Sequence, residues 1–495
     1  MTELQDLATL IRAATPLLVI ETAEENRTIE TFRHLIAQVL RPLFRWSITD
    51  GLKRLDMTED DAPGEVSVAP DSSATLLAIK HAAEAGIYLL LDFQPYLRYT
   101  MTLRLLREIC QRQGAASHTL VLISPKVDLP EELEPLATRF SLSLPDAQAL
   151  AALVREEAFA YSRDNGGKRV DIDADAARAV VRNLRGLSLD DARRIVRKLI
   201  YDDGALTQAD VAELAKAKFE LLNKDGLLHF EYDTARFTDV AGLKHLKTWI
   251  EQRRAAFLGL KSAAGLDPPK GMLLLGVQGC GKSLAAKAVA GGLGVPLVRL
   301  DFGTLYNKYH GETERNLRAS LAHAERLAPC VLWVDEIEKA LAGNDEDGVS
   351  RRVLGYLLTW MAERREAVFL VATANQVHDL PAELLRKGRF DEIFFVDLPG
   401  AEARQEIFRI HLAKRALKPD ALDLAALAAA ADGFSGAEIE QAIVSALYAA
   451  NADNAAPTQD HLARALRETR PLSVLMAEQV DALRTWARGR TVSAD

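Results

Sequence analysis

Apolar positions along the chain fall into two alternating patterns. Residues 2–13 place Leu4, Leu7, Leu10 and Ile11 on one helical face. Pro16 then leads into an unbroken apolar run, Leu17-Leu18-Val19-Ile20, which reads as a strand buried on both faces, and a helical pattern follows to about Val39. Arg45-Trp46-Ser47-Ile48, Ile87–Leu91 and Thr119–Ile123 read as further strands. Residues 50–74 are acidic and without period, which predicts a loop. Helical patterns over 146–161, 174–200 and 206–222 complete this half, and residues 223–236 read as a linker. The second half resumes the alternation, with buried strands at Met272–Leu275, Val331–Val334 and Val368–Ala374 and a last helix over about 471–488. Strands alternating with helices predict parallel α/β sheets.

Several landmarks recur about 250 residues apart. Val127-Asp128-Leu129-Pro130 parallels His378-Asp379-Leu380-Pro381, and Leu142-Ser143-Leu144-Pro145 parallels Val396-Asp397-Leu398-Pro399. Gly186-Leu187-Ser188 parallels Gly433-Phe434-Ser435, each opening a helix, and Thr207-Gln208 parallels Thr458-Gln459. In this register Ser124 stands opposite Asn375. Four matches in one order predict two copies of one domain plan.

The copies differ in chemistry. In the second, the run Met272–Leu275 enters Gly276-Val277-Gln278-Gly279-Cys280-Gly281-Lys282-Ser283, and a helix begins at Leu284. That is the strand–loop–helix context of a P-loop. Glycines let backbone N–H groups turn inward on phosphates, Lys282 supplies a point charge to the β/γ-phosphates, and Ser283 supplies a hydroxyl to Mg²⁺. The first copy has Glu21, Glu24 and Glu25 after its strand and neither glycine nor lysine, so like-charge repulsion argues against a nucleotide there.

Two further strand ends carry chemistry. Val331–Val334 ends in Asp335-Glu336, a pair that after a P-loop divides the work: Asp335 contacts Mg²⁺ directly or through water, and Glu336 polarises the attacking water. Val368–Ala374 ends in Asn375, an amide able to orient the same water. Arg386 and Arg389 lie three apart beside Gly388, and planar guanidiniums suit charge building on a transferred phosphoryl group.

Composition narrows the class. A 495-residue chain that is 48% hydrophobic with net charge −9 has ample core and no basic excess, so a nucleic-acid partner is disfavoured. Cys110, Cys280 and Cys330 make neither a disulfide framework nor a metal spacing, and Cys280 reads as packing, with redox sensitivity as the alternative. Met1–Ile20 carries no signal-peptide pattern and no apolar run is long enough to span a bilayer, so a cytosolic protein is expected. His-Glu-x-x-His is absent, which argues against a fused zinc protease.

Together these residues resemble the AAA branch of the AAA+ ATPases over about 237–470. Phe237-Thr238-Asp239-Val240-Ala241-Gly242-Leu243 and Gly433-Phe434-Ser435-Gly436-Ala437-Glu438 carry the likeness beyond the P-loop. The resemblance implies that Asp239, Val240, Gly242 and His411 hold adenine and ribose, and that Gly436 and Ala437 close over the nucleotide. It implies that Gly276, Gln278, Gly279, Cys280, Gly281, Lys282, Ser283 and Leu284 surround the phosphates. It also implies that Arg386 and Arg389 are fingers reaching a neighbouring subunit's ATP, in a homo-oligomeric ring that is usually hexameric. Lys308-Tyr309-His310 resembles the first pore loop of katanin and spastin, where an aromatic grips an extended polypeptide; packing at a subunit interface is the other reading of Tyr309. Arg351-Arg352 falls where the family places basic interface residues, and Asp345-Glu346-Asp347 reads as a solvated acidic run. The whole chain is similar to a narrower group of AAA proteins first named from a hypothetical chloroplast open reading frame and common in bacteria. Leu90–Tyr96 and Leu122–Pro125 carry that likeness.

The expectation is an α/β protein of two tandem P-loop (AAA-like) parallel-sheet modules, each with a small helical lid, the first degenerate. Its expected parts are a module without a nucleotide loop over 1–222, the linker 223–236, a large ATPase subdomain over 237–400, a helical lid over 401–470, and a helix and tail over 471–495. The expected activity is Mg²⁺-dependent ATP hydrolysis driving the remodelling or translocation of a protein substrate. A nucleotide-gated scaffold with slow turnover is the alternative.

Overall fold

A computed structural model describes residues 3–56, 71–112, 117–223, 227–231, 237–260, 265–302, 312–341 and 349–495. The chain divides into two compact units, residues 1–145 with 188–191, and residues 146–187 with 192–495.

The first unit is built on a six-stranded sheet. Its strands are β1 (Leu17–Glu21), β2 (Leu43–Ser47), β3 (Gly51–Arg54), β4 (Ile87–Leu91), β5 (Thr119–Ser124) and β6 (Ala137–Arg139), in the order β3-β2-β4-β5-β1-β6. Only the β2–β3 pair is antiparallel. The unbroken apolar runs take the centre, because a strand covered on both faces has no polar side. Alternate residues serve two cores: Leu17, Val19, Leu90 and Leu122 pack with Trp46 and Phe93, while Leu18, Ile20, Leu89 and Val121 pack with Leu7 and Phe32.

The second unit holds a seven-stranded sheet. Its strands are β9 (Leu228–Glu231), β10 (Gly271–Gly276), β11 (Leu297–Leu300), β12 (Cys330–Val334), β13 (Val368–Ala374), β14 (Glu392–Val396) and β15 (Val492–Ser493). Between the two sheets in sequence, β7 (Asp171–Ile172) and β8 (Ala205–Leu206) form a two-stranded piece. The large sheet runs β15-β14-β10-β13-β12-β11-β9, with β9 alone antiparallel. A separate cluster of Phe408, Leu427, Phe434, Ile439 and Leu462 forms the core of the helices Ala401–Lys414 to Gln459–Glu468.

Reversed, the first sheet reads β6-β1-β5-β4-β2-β3, and without β15 the second reads β14-β10-β13-β12-β11-β9. The five parallel strands follow one plan in space and in chain order, and an antiparallel strand adds to the same edge, although β3 follows β2 in the chain and β9 precedes β10. The likeness extends to single residues. Asp92 after β4 has φ +47° and Glu336 after β12 has φ +49°, both in the left-handed region. Ser124 Oγ donates to Asp92 Oδ1 at 3.3 Å, as Asn375 Nδ2 donates to Glu336 Oε1 at 2.8 Å. The chain is thus two tandem modules of one α/β design, the first degenerate. Glu24 lies in the turn after β1, the counterpart of the turn after β10. It is 6% exposed, with Oε1 accepting from the amide of Leu189 at 2.7 Å and Oε2 from Arg27 Nη1 at 2.9 Å.

Several local expectations change. Residues 50–74 are not all loop: β3 pairs with β2, and the helix Ser72–His81 starts at an Asp71 side-chain cap, while 57–70 lie outside the described residues. The stretch 174–200 is two helices, Ala174–Leu184 and Leu189–Asp203, parted where Gly186 takes φ +84°. The linker contains β9, whose four residues gain their extended form only by pairing with β11. The segment 471–488 forms two helices, Leu472–Leu475 and Ala477–Ala487, and the second ties to its own chain through Arg484 and Asp397.

Within the second unit the helix Gln208–Leu222 is anchored by a buried lysine. Lys218 is 2% exposed, and its ammonium donates to the carbonyls of Arg185 and, at 3.1 Å, Ala328. Burial, reinforced by Arg326, lowers its pKa to about 7. Between pH about 7 and 10.5 the unfolded chain therefore carries a proton that the folded protein does not. For this group stability rises with pH through that window and is flat below it. Lys218→Met, which keeps the stem volume, is expected to remove that rise in thermal unfolding scans; parallel slopes in both proteins would show that Lys218 does not titrate in this way.

Candidate active site

The site grows from the carboxyl ends of β10, β13 and β12, which the parallel register brings side by side. β10 ends at Gly276, where a Cβ would lie 2.0 Å from the Val396 carbonyl oxygen of β14, so no side chain fits. The chain turns through Gly279 and Gly281, at φ +78° and +88°, into the helix Lys282–Leu293. No side chain caps that helix, so its first N–H groups stay open to an anion. Lys282 is 6% exposed and donates to the carbonyls of Gly276 at 2.9 Å and Val277 at 2.8 Å. Burial holds its pKa below the ordinary lysine value.

Thr373, on β13, joins the two acids of β12. Its hydroxyl donates to Asp335 Oδ1 and accepts the amide of Glu336 at 3.0 Å. Ser283 Oγ lies 3.5 Å from the same Asp335 oxygen. Glu336 is fixed at both oxygens, Oε1 by Asn375 at 2.8 Å and Oε2 by Lys339 at 2.6 Å. Asn375 is itself positioned, because its backbone N–H donates to Glu338 Oε1 at 2.8 Å. Glu338 is buried, and desolvation raises its pKa.

Beside the loop lies a cavity of about 250 Å³. Val240–Leu243, Gly279–Gly281, Leu284, Asp397–Pro399, His411, Gly436 and Ala437 wall it, together with Ser493–Asp495. Asp239 and Gln278 do not line it; Asp239 closes the single turn Phe237–Asp239 just before. The helix Gly436–Ala452 begins in a Ser435/Glu438 capping box, and the Ala437 amide donates to the Gly279 carbonyl at 3.2 Å. His411 Nδ1 is 3.3 Å from Glu440 Oε1 without hydrogen-bond geometry, and burial lowers the imidazole's pKa. Burial pushes the Cys280 thiol up to about 12.

The two candidate fingers stand apart from this cavity. Arg386 is exposed, whereas Arg389 Nη1 donates to the Leu358 carbonyl. The candidate pore loop Lys308-Tyr309-His310 and the acidic run Asp345-Glu346-Asp347 lie outside the described residues. Sequence reasoning missed Thr373, Glu338, Lys339 and the walls at 397–399 and 493–495. A threonine inside an apolar strand reads as an ordinary β-former, and no spacing links residue 495 to residue 242. Among the described residues no cluster of three or more His, Cys, Asp or Glu could hold a metal, and no helix is long and apolar enough to cross a membrane.

Residues 272–398 match the AAA family, ATPase family associated with various cellular activities. The N-terminal and second domains of SpoVK-like AAA ATPases match residues 3–142 and 148–225. The chain belongs to the AAA family and is an ATP-binding ATPase. It is 33% identical over 488 residues to the "Uncharacterized AAA domain-containing protein ycf46" of Pyropia yezoensis, covering 98% of this chain and 97% of that one. The protein of the same name from Trieres chinensis is 34% identical over 489 residues, covering 97% and 96%. The "Proteasome-activating nucleotidase" of Aeropyrum pernix is 37% identical over 224 residues, 43% of this chain and 54% of that one.

Thr373→Val removes the hydroxyl shared by Asp335 and Glu336 while keeping the strand's shape. ATP turnover is expected to fall about tenfold, with Thr373→Ser close to wild type. Equal turnover in all three proteins would show that the hydroxyl does not orient the acids.

Proposed function

We propose that the protein is a ring-forming AAA+ motor that uses Mg²⁺-dependent ATP hydrolysis to remodel or translocate a protein substrate. The observation that carries this reading is the convergence of Lys282, Ser283, Asp335, Glu336 and Asn375 on neighbouring ends of one parallel sheet. In the proposed engine residues 237–400 are the large subdomain, 401–470 the lid and 1–222 a nucleotide-free module. The cavity takes the base and ribose, with Val240, Gly242 and His411 on one side and Gly436 and Ala437 on the lid side. The loop Gly276–Ser283, with Leu284, wraps the phosphates.

Each residue then has a task. Lys282 exchanges its carbonyl partners for phosphate oxygens. Ser283 and Asp335 offer a hydroxyl and a carboxylate oxygen, a donor set that fits a hard cation held partly by phosphates. Mg²⁺ bound there would neutralise charge on the β/γ-phosphates. Glu336 draws the proton from the attacking water, and Asn375 keeps that carboxylate aimed. Arg386 and Arg389 serve the neighbouring subunit's site, which requires a homo-oligomer, most simply six subunits. Arg386 is exposed and ready for that contact, while Arg389 must leave Leu358. Threading through Lys308-Tyr309-His310 rests on the sequence likeness to pore loops. The partial match to a proteasome-activating nucleotidase supports a protein substrate.

Two substitutions test the engine and its use. Glu336→Gln is expected to lower ATP turnover at least about 100-fold while trapping ATP in a stable assembly. Side-by-side turnover and particle-size measurements check this. Wild-type turnover near zero with an assembly indifferent to nucleotide would favour a scaffold instead. Tyr309→Ala is expected to keep basal turnover and abolish its stimulation by an unfolded polypeptide. Loss of the basal rate would assign Tyr309 to a subunit interface.

A further inference from the structure

The cavity is closed from a direction that the P-loop and lid do not supply. β15 adds an edge to the sheet by pairing in parallel with β14, Phe394 opposite Val492 and Phe395 opposite Ser493. The amide of Ala494 then donates to the Phe395 carbonyl at 3.0 Å. Ala494 is 1% exposed and belongs to the same core as Val240, Leu243, Leu246 and Val396. Residues 493–495 therefore lie between the two stretches that wall the cavity, 240–243 and 396–399.

The first of those stretches needs outside help. Gly242 and Leu243 take φ +64° and +57° in succession, and for leucine this conformation costs roughly 1–2 kcal/mol. Leu243 is the N-cap residue of the helix Lys244–Phe257 and offers no side-chain cap. A helix start without partners would leave its first N–H groups, that of buried Leu246 among them, without protein acceptors and let the turn relax. The segment 493–495 supplies those partners from the far end of the sequence. Asp495 Oδ1 accepts the amide of Lys244 at 3.3 Å, and the Ala494 carbonyl accepts that of Leu246 at 3.1 Å. The Asp495 carboxylate also stands at the positive end of the helix dipole, 3.4 Å from where a Cβ on residue 242 would lie. On the other side, Arg484 grips Asp397 through Nε and Nη2 at 2.9–3.0 Å.

We propose that residues 484–495 form a strap that builds the base end of the nucleotide pocket, with Asp495 the positioning residue that holds the strained Gly242–Leu243 turn in its binding form. Asp495 acts through backbone it caps, so its effect falls on how tightly the nucleotide is held. The proposal rests on the nucleotide reading of this cavity. Loss of the cap lets the 240–243 wall relax, which weakens ATP binding. The phosphate chemistry at Lys282, Asp335 and Glu336 lies on other strand ends and keeps its geometry.

The test is equilibrium binding of ATP to the full-length protein, with steady-state turnover alongside, for wild type, Asp495→Ala and Asp495→Asn. Asparagine keeps the Oδ1 acceptor and loses the charge. Asp495→Ala is expected to weaken ATP binding and raise KM by about 5- to 10-fold, with kcat changed less than about twofold, and Asp495→Asn to restore most of the affinity. Thermal unfolding of each variant separates binding from folding. Asp495→Ala that melts earlier yet binds ATP like wild type would overturn the strap as a positioning element. So would Asp495→Asn as weak as Asp495→Ala, because the acceptor would then not be what matters. Wild type that binds no ATP would instead remove the nucleotide reading itself.

Discussion

The parallel register of β10, β13 and β12 is the constraint on which the rest of the second unit depends. Leu274 stands opposite Thr373, and Val334 opposite Ala372, so three strand ends finish within reach of one another. A slip of one residue would turn every side chain to the other face. Asp335 and Thr373 would then no longer meet, and Asn375 would leave Glu336. The register is held by core demand, since Met272, Leu274, Val331, Trp333, Phe369 and Val371 all point into one apolar cluster. Chemistry at the sheet's edge is thus aligned by packing in its middle.

The two modules show what that constraint does and does not preserve. Both sheets keep the order of their five parallel strands, the left-handed acidic residue after the third of these in the chain, and a partner for it at the end of the next. These features belong to the sheet. The loop after the first strand differs because its conformation is set by glycines and by what it holds. In the second module it turns through Gly279 and Gly281 into a helix that no side chain caps. In the first, Glu24 takes an amide and a guanidinium as partners. A buried carboxylate so satisfied needs no ligand to stabilise it.

The pocket's far wall is assembled from distant sequence for an equally plain reason. A helix start carries several unpaired N–H groups, and Leu243 cannot cap its own helix. A short strand added to the sheet edge delivers a carbonyl and a carboxylate to that point. The same edge strand and the Arg484–Asp397 pair connect the last helix to the stretch leading into the lid. One tether can therefore touch both sides of the cavity without entering the phosphate region.

Much of this was legible in the chain alone. Hydrophobic runs ending in Gly276-x-x-x-x-Gly281-Lys282-Ser283, in Asp335-Glu336 and in Asn375 pointed to three of the strands and to an ATPase, because strand ends and glycine turns are local properties. Recurring landmarks also revealed the doubled design. What the tertiary structure decided is long-range. Thr373 gained its role from a neighbour 38 residues away, β9 and β3 became strands only by pairing, and Lys218 found Ala328 across 110 residues. Asp495 reached Lys244 from 251 residues off, through hydrogen-bond needs that exist only once the helix and sheet edge are in place. Periodicity and motif report what a segment prefers by itself; which partner satisfies a buried donor is settled by the fold that buries it.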